Sequence, residues 1–459
     1  MMRPARAAAV LVSALALLVV AGPAASAKWG LPDALTERGR IVEDLFGIVL
    51  ILSIITFAIV FVWLVLLIVR FREGTGHGRT TNEKERHSMK AEIAWFGVPL
   101  IMVMYIGYAA YGGLVQLDHG IALEDAEMEV RIVGSQWNWL ADYGSGVEVF
   151  ANPDPNSGHV AAENVFLVPQ DTPLLLNITA ADVIHAFQVL DANRAYVLFN
   201  DANPLGLNKY ALQTVSFPAG DYFVQCNKFC LNPGHAYMHA AIRSVPQAEF
   251  DHWFFGKKAE GGAPLLEKLT LRSTADGLRF ANNGTLLSGS LTVAAQTRIV
   301  VDLADTAADV TLKAVGVAEK TIPAGEMADT YFAFDVTQPG SYTLTGSNGG
   351  SLAITAIEAI PKRVEMGNFE FQPGMLQLEV GKTYLIQVPN THSATHDLHI
   401  GTYKGGSGDV IVAKSPSVGG GGTSAFLITP TVAGTFDMWC SQSGHVGLGM
   451  VNLGGVTVT

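Results

Sequence analysis

Cysteine is scarce in this chain, with three among 459 residues. Charge is scarce too, at 15% of residues, and it leans acidic, with 29 Lys and Arg against 41 Asp and Glu. The resulting formal charge of -12 argues against a nucleic acid partner, which needs clustered cations to displace counterions. It leaves room for an acidic face toward a basic partner. No Cys-x-x-Cys-His run occurs, so no haem is tethered covalently. Between residues 261 and 391 there is neither a His nor a Cys. What the chain has in quantity is hydrophobic residues (49%) and 48 glycines. That mixture suits a partly membrane-embedded protein that is otherwise strands and turns, with roughly two to four domains.

Arg3 and Arg6 precede the apolar run AAAVLVSALALLVV, and ASA at 25–27 offers small residues for cleavage before Lys28. Residues 1–27 therefore read as a signal peptide. The other reading, a further membrane helix, meets a run that is short for spanning. Two longer apolar segments follow, 45–69 without a charge and about 93–115, which predict a transmembrane hairpin within residues 28–120. The segment between them, RFREGTGHGRTTNEKERHSMK, carries six Lys or Arg against three Glu. The positive-inside rule puts it in the cytoplasm and everything after about residue 118 outside. The implied location is a bacterial-type plasma membrane with the bulk of the chain on its outer, periplasmic face.

Beyond residue 125 the text becomes short alternating strands separated by Gly, Pro, Asn and Asp, which predicts all-β Greek-key sandwiches. Their grammar repeats at a long period. TPLLLNI at Thr172, TRIVVDL at Thr297 and TYLIQV at Thr383 correspond. So do PAGDYFVQC at Gly220, QPGSYTLTG at Gly340 and VAGTFDMWC at Gly434. Six residues past each Gly stand Cys226, Gly346 and Cys440; thirteen past each Thr stand His185, Val310 and His396. We expect three copies of one sandwich, at 125–260, 265–360 and 363–459, with a pocket in the outer two and none in the middle one.

The last copy offers His396, then Cys440-x4-His445-x4-Met450. Two imidazoles and a thiolate with a weak thioether form the ligand set of a mononuclear electron-transfer copper. Glycines 444, 447 and 449 allow the loop to turn tightly. His399 competes with His396, but the repeat offset selects His396. An inert buried thiol is the plain alternative for Cys440. The first copy offers His185, Cys226, Cys230, His235 and Met238, plus the carbonyl of Lys228. These fit two copper ions bridged by two thiolates. A Cys226–Cys230 disulfide and a zinc site remain open.

The membrane hairpin, KAEIAW, GSQWNW, ADVIHAFQV and CNKFCLNPGHAYM together resemble subunit II of the haem-copper oxidases over about residues 40–245. The last copy resembles type 1 blue copper proteins, the cupredoxins. The resemblance implies cupredoxin-like folds and a dinuclear CuA centre on His185, Cys226, the Lys228 carbonyl, Cys230, His235 and Met238. It implies a type 1 copper on His396, Cys440, His445 and Met450. Trp137 would be the electron entry and Glu92 the entrance of a proton pathway. Haem would reside only in a partner, the catalytic subunit I, and a soluble cytochrome c or small blue copper protein would be the donor. Three departures stand out. Lys228 replaces the family's glutamate, which helps hold a magnesium or manganese ion. The Cys230–His235 gap is one residue longer than usual. Asn138 replaces an aromatic between the two tryptophans.

The resulting expectation is an electron-transfer subunit of a cytochrome c oxidase-type complex, inactive alone, passing electrons from type 1 copper to CuA and on to haem for oxygen reduction. A CuA subunit of a nitric oxide reductase and a membrane-tethered copper-binding or storage protein are the alternatives.

Overall fold

The computed structural model describes residues 33–459, apart from 35, 72–87, 120–124, 152–164, 192–195, 204–211, 232–233, 262, 264, 275–276, 283, 304–307, 348, 393, 407, 420–421 and 443. The predicted signal peptide and most of the basic loop lie outside the described residues, as do Asn232 and Pro233 of the long Cys230–His235 gap.

Two helices form the hairpin, α1 (Glu37–Phe71) and α2 (Met89–His119). Thr36 caps α1, its hydroxyl accepting the Gly39 N–H at 3.1 Å, which satisfies an amide that has no partner inside the helix. Both helices are long and apolar enough to cross a membrane. Gly113 of α2 lies so close to Leu45 of α1 that a Cβ there would stand 2.5 Å from the leucine. Thr56 and Met102 also meet between the helices.

The first β domain begins with β1 (Met128–Ser135), β2 (Asn138–Asp142), β3 (Glu148–Ala151), β4 (Phe166–Pro169) and β5 (Leu174–Ala180). It continues through β6 (His185–Leu190), β7 (Tyr196–Ala202), β8 (Leu212–Val215), β9 (Gly220–Cys226) and β10 (His239–Val245). Helix α3 (Gln247–Glu260) leads into the second, which opens with β11 (Leu266–Thr274), β12 (Gly277–Asn282), β13 (Thr285–Leu286), β14 (Ser290–Ala294) and β15 (Thr297–Leu303). There follow β16 (Val310–Ala314), β17 (Ala318–Ile322), β18 (Tyr331–Val336), β19 (Gly340–Gly346) and β20 (Ser351–Ile357). The third holds β21 (Ile360–Arg363), β22 (Glu365–Met366), β23 (Phe371–Gln372), β24 (Leu376–Leu378) and β25 (Tyr384–Pro389). It ends with β26 (His399–Thr402), β27 (Val410–Lys414), β28 (Thr423–Ile428), β29 (Gly434–Trp439) and β30 (Val451–Val458).

The sheet orders match across the domains. One sheet runs β4-β10-β9-β6-β7, then β14-β20-β19-β16-β17, then β24-β30-β29-β26-β27. The facing sheet runs β3-β2-β1-β5-β8 and β13-β12-β11-β15-β18. In the third domain it is divided into β21-β25-β28 and β22-β23. The cores lie between the sheets, around Trp139 and Phe187 in the first domain, Leu271 and Ile299 in the second, Ile386 and Leu398 in the third. This is a cupredoxin-like arrangement of sandwiches, preceded in the chain by two apolar helices.

Backbone geometry aligns the domains further. Gly220, Gly340 and Gly434 open β9, β19 and β29 at φ of 150°, 151° and 156°. That region excludes a side chain, so the same residue type is required at one turn three times. The strands that follow deliver Cys226, Gly346 and Cys440 to the same end of each sandwich.

Helix α3 holds the first two domains together. Its Phe250 and Trp253 pack on Tyr143, and its His252 Nε2 lies 2.9 Å from the Tyr331 hydroxyl. The third domain reaches back to the first. Gly419 sits flush on Phe150, where a Cβ would be 2.5 Å from the ring.

Candidate metal centres

The first centre forms where β9 ends and β6 begins. The Cys226 and Cys230 sulfurs are 3.7 Å apart and both cysteines are free, far from the roughly 2.05 Å of a disulfide. His185 Nδ1 lies 3.9 Å from Cys226 Sγ, and His235 Nδ1 lies 3.3 Å from Cys230 Sγ. Met238 Sδ stands 3.9 Å from Cys230 Sγ, and the Lys228 carbonyl 3.2 Å from Cys226 Sγ. All six predicted positions therefore converge. The loop closes through the Cys226 N–H, which donates to the Met238 carbonyl at 3.0 Å.

Asp182 was not singled out from the sequence. Its carboxylate accepts from His185 Nε2 at 2.9 Å and from the main-chain N–H groups of Gln136 and Val183. Fixing the proton on Nε2 leaves the Nδ1 lone pair facing the sulfurs, the way a carboxylate orients a metal-bound imidazole. Burial by itself lowers the pKa of His185, but its hydrogen bonds to Asp182 and Cys226 outweigh it and the net direction is up. Two thiols this close cannot both ionise in a buried pocket. The Cys226 thiolate is favoured by the hydrogen bond from Cys230, which itself is held protonated by that bond and by burial.

The second centre repeats this plan. Cys440 Sγ lies 3.8 Å from His396 Nδ1 and 3.4 Å from His445 Nδ1, and the two Nδ1 atoms are 3.0 Å apart. Met450 is buried in the same apolar cluster as Cys440. Again the loop closes from a Cys N–H to a Met carbonyl, Cys440 to Met450 at 3.1 Å. Gly444 and Gly449 take positive φ, as the tight loop requires. His396, Cys440, His445 and Met450 are all 0% exposed. Burial, with help from His445 and His392, pushes His396 down to about 2. Burial likewise pushes His445 down to about 4 and Cys440 up.

Three residues that the sequence reading passed over surround this centre. Asp397, 3% exposed, accepts from the Ser441 N–H and hydroxyl, both at 2.6 Å, and from Gln442 Nε2 at 2.9 Å. It thereby pins the loop that starts at Cys440. His392 Nδ1 lies 3.1 Å from His396 Nε2. Because the Ala394 N–H also points at that Nδ1, it is the acceptor, and His396 Nε2 carries the proton. Phe369 sets its ring edge-on to His392, His396 and His445, from a left-handed backbone at φ 58° that a bulky residue rarely adopts. Sequence signals existed for the two acids: an Asp three residues before one ligand His and one immediately after the other.

The junction of the first and third domains runs between the centres. His445 Nε2 faces the Gln136 carbonyl at 3.4 Å, and its ring stands edge-on to Trp137 with centroids 5.9 Å apart. Trp137 Nε1 and Gln136 Nε2 both donate to the Cys230 carbonyl, at 2.9 and 3.1 Å. Trp137 is 4% exposed. Gly234 is pressed onto its ring, where a Cβ would come within 2.4 Å. Asn138, where the resembled family has an aromatic, is buried and accepts from Ser135 and from Thr395 of the third domain.

His399 opens β26 against Trp439 and lies outside the His396–Cys440–His445 group. His396 itself precedes that strand, in an isolated bridge with Val418. Lys228 turns its side chain outward to Asp201 at 2.6 Å. Of the two described residues in the long gap, Leu231 is left-handed at φ 76° and Gly234 is right-handed at φ -90°. Glu92 sits in the first turn of α2. The middle domain, with Val310 and Gly346 at the matching positions, presents no His/Cys group among the described residues.

Both donor sets suit copper. Cysteine, imidazole and thioether together match a soft, redox-active ion. Two depressed imidazole lone pairs facing each other at 3.0 Å repel unless a cation lies between them.

Residues 128–245 match the family model described as cytochrome C oxidase subunit II, periplasmic domain. Among curated proteins, the probable cytochrome c oxidase subunit 2 of Rickettsia bellii is 26% identical over 38% of this chain and 64% of its own length. Cytochrome c oxidase subunit 2 of Oenothera berteroana is 28% identical over 36% of this chain and 67% of its own length. The chain thus spans a little under two thirds of the first of these relatives. The solved periplasmic domain of subunit II of cytochrome oxidase from Bradyrhizobium japonicum aligns at 27% identity over 29% of this chain and 94% of that one, with a TM-score of 0.24.

Proposed function

We propose, from the resemblance to cytochrome c oxidase subunit II over residues 128–245, that this chain is the electron-transfer subunit of a haem-copper terminal oxidase. It is anchored by α1 and α2, with its β domains on the periplasmic side of a bacterial plasma membrane. In this reading the first domain holds a dinuclear CuA centre on His185, Cys226, the Lys228 carbonyl, Cys230, His235 and Met238. The third holds a type 1 copper on His396, Cys440, His445 and Met450, and the second is a spacer. When bound, copper supplies one-electron redox chemistry at a site that changes shape little.

The observation that carries the reading is the junction. One dipeptide, Gln136–Trp137, contacts a ligand residue of each centre: the Gln136 carbonyl meets His445, and both side chains donate to Cys230. Covalent and hydrogen-bonded atoms couple two redox sites far better than an open gap does. A storage protein has no use for such a bridge. Asp182 holds the proton of His185 on Nε2, and Asp397 holds the 440 loop. Rigid ligands of this kind keep reorganisation small. Trp137 is closed off by its neighbours, so in this reading its electrons come from the third domain and no soluble donor touches it. Lys228 puts a cation, paired with Asp201, where the resembled family has the glutamate that helps hold a magnesium or manganese ion. The partner is a haem-bearing catalytic subunit, and the donor a soluble one-electron carrier.

The test is metal analysis with electron paramagnetic resonance on the purified full chain. The reading requires three coppers per chain, one spectrum delocalised over a pair and one mononuclear. Co-purification of a haem-bearing subunit supports the oxidase assignment, and a copper-loaded chain with no such partner supports storage.

A further inference from the structure

The third-domain centre has two imidazoles, and each ties its outward nitrogen to a different neighbour. His445 Nε2 turns inward to the Gln136 carbonyl of the first domain. His396 Nε2 turns the other way, to His392 Nδ1 at 3.1 Å. His396, Cys440, His445 and Met450 are fully buried, whereas His392 is half-buried. With Nδ1 of His392 accepting from His396 and Ala394, its proton sits on Nε2. The ring is held in place by Phe369, whose edge also touches both ligand imidazoles. Thr391, the residue before His392, is tied by its hydroxyl to Glu365 and the Met366 carbonyl.

We infer that His392 is the point at which electrons enter the mononuclear centre from a soluble one-electron donor, with Phe369 as the residue that positions it. The inference rests on the proposed copper site and adds its surface terminal. His392 lies against His396 on one side of the centre, and Gln136 and Trp137 lie against His445 on the other; with copper held between the two imidazoles, these residues would form the path. The donor loses one electron and the centre gains one; no bond forms or breaks, and no proton need move. A blue copper fold that buries its loop histidine against a second domain needs another surface terminal. Among the described residues, His392 is the side chain that both reaches solvent and hydrogen-bonds an imidazole of the third-domain centre.

The first experiment needs no copper. Diethyl pyrocarbonate is applied to the metal-free full chain and the modified histidines are located by mass spectrometry. His392 is expected to react first among the four third-domain histidines, with His396, His399 and His445 protected. Protection of His392 equal to theirs overturns the inference. The second uses the copper-loaded full chain, reduced in a stopped flow by hexaammineruthenium(II) while the mononuclear absorption is followed. His392→Leu should slow the second-order step at least tenfold with copper content and spectrum unchanged, and His392→Gln, which keeps an acceptor for His396, should recover most of the rate. An unchanged rate in His392→Leu overturns the inference while leaving the copper assignment standing. Should His392→Leu lose its copper, wild-type chain carbethoxylated at His392 after loading takes its place, with the same expected slowing and the same overturning result. A wild-type chain that never shows a mononuclear copper spectrum removes both.

Discussion

His445 Nε2 and the main-chain oxygen of Gln136 lie 3.4 Å apart, although 309 residues separate them in the chain. The contact joins the ligand loop of one centre to the strand turn of the other. Trp137 continues it, with its indole N–H on the Cys230 carbonyl at 2.9 Å. Replacing Trp137 by Phe removes that hydrogen bond and keeps most of the apolar volume. In copper-loaded protein, electron transfer from the mononuclear to the dinuclear centre after flash reduction should slow by roughly tenfold, a barrier change of about 1.4 kcal/mol. Gln136→Leu should slow it less, since the carbonyl facing His445 stays. Equal rates in both variants and wild type would remove the bridge.

Asp182 acts on His185 without touching a metal. Asp182→Asn can still receive the Nε2 proton but loses its charge, and Asp182→Ala loses the contact at 2.9 Å. Partners of this kind typically contribute about 10- to 100-fold in metal affinity. Competition with a chelator should therefore rank copper retention at the first centre as wild type, then Asn, then Ala, with the third-domain copper unaffected.

The sequence made much of this legible, and the reasons are physical. Ligand residues must be particular types at particular spacings, so His185, Cys226, Cys230, His235 and Met238 stand out in the text and converge in space. The repeat of one strand grammar is readable because Gly220, Gly340 and Gly434 mark one positive-φ turn three times. What contacts a ligand is harder to see. His392 and Phe369 enclose His396 only because two loops meet. Asn138 looked like a departure near an electron entry. It is buried at a domain junction, where an amide oxygen serves Thr395 and an aromatic ring could not. Domain packing leaves no period in a sequence, so nothing in the text showed that Trp137, expected as an electron entry, is buried at a domain junction.

Asp397 places a carboxylate under the loop that begins at Cys440. An oxidised copper carries one more positive charge than a reduced one, so a nearby anion favours the oxidised form. Asp397→Asn keeps an acceptor for the Ser441 N–H and removes that preference. The reduction potential of the mononuclear centre should rise by tens of mV, on the order expected for a unit charge at an effective dielectric near 20. A fall, or no change with an intact blue absorption, would show that this carboxylate only pins the loop.

Acid should weaken the third domain in a defined window. Burial holds His396 down to about 2 and His445 down to about 4, both from an ordinary value of 6.5. The unfolded chain therefore binds protons that the folded chain refuses, and stability increases with pH wherever that is so. The contribution is fully present above about pH 6.5. It is lost as the pH falls toward about 4, by up to about 1.4 kcal/mol per pH unit for each histidine. Urea unfolding of the metal-free full chain, followed through Trp439 in the core of that domain, should show the midpoint falling steadily between pH 6.5 and 4.5. Replacing both His396 and His445 by Gln removes the titrating groups and should flatten the curve. A midpoint that instead rises on acidification would mean these imidazoles are protonated in the folded state and are not poised as metal ligands.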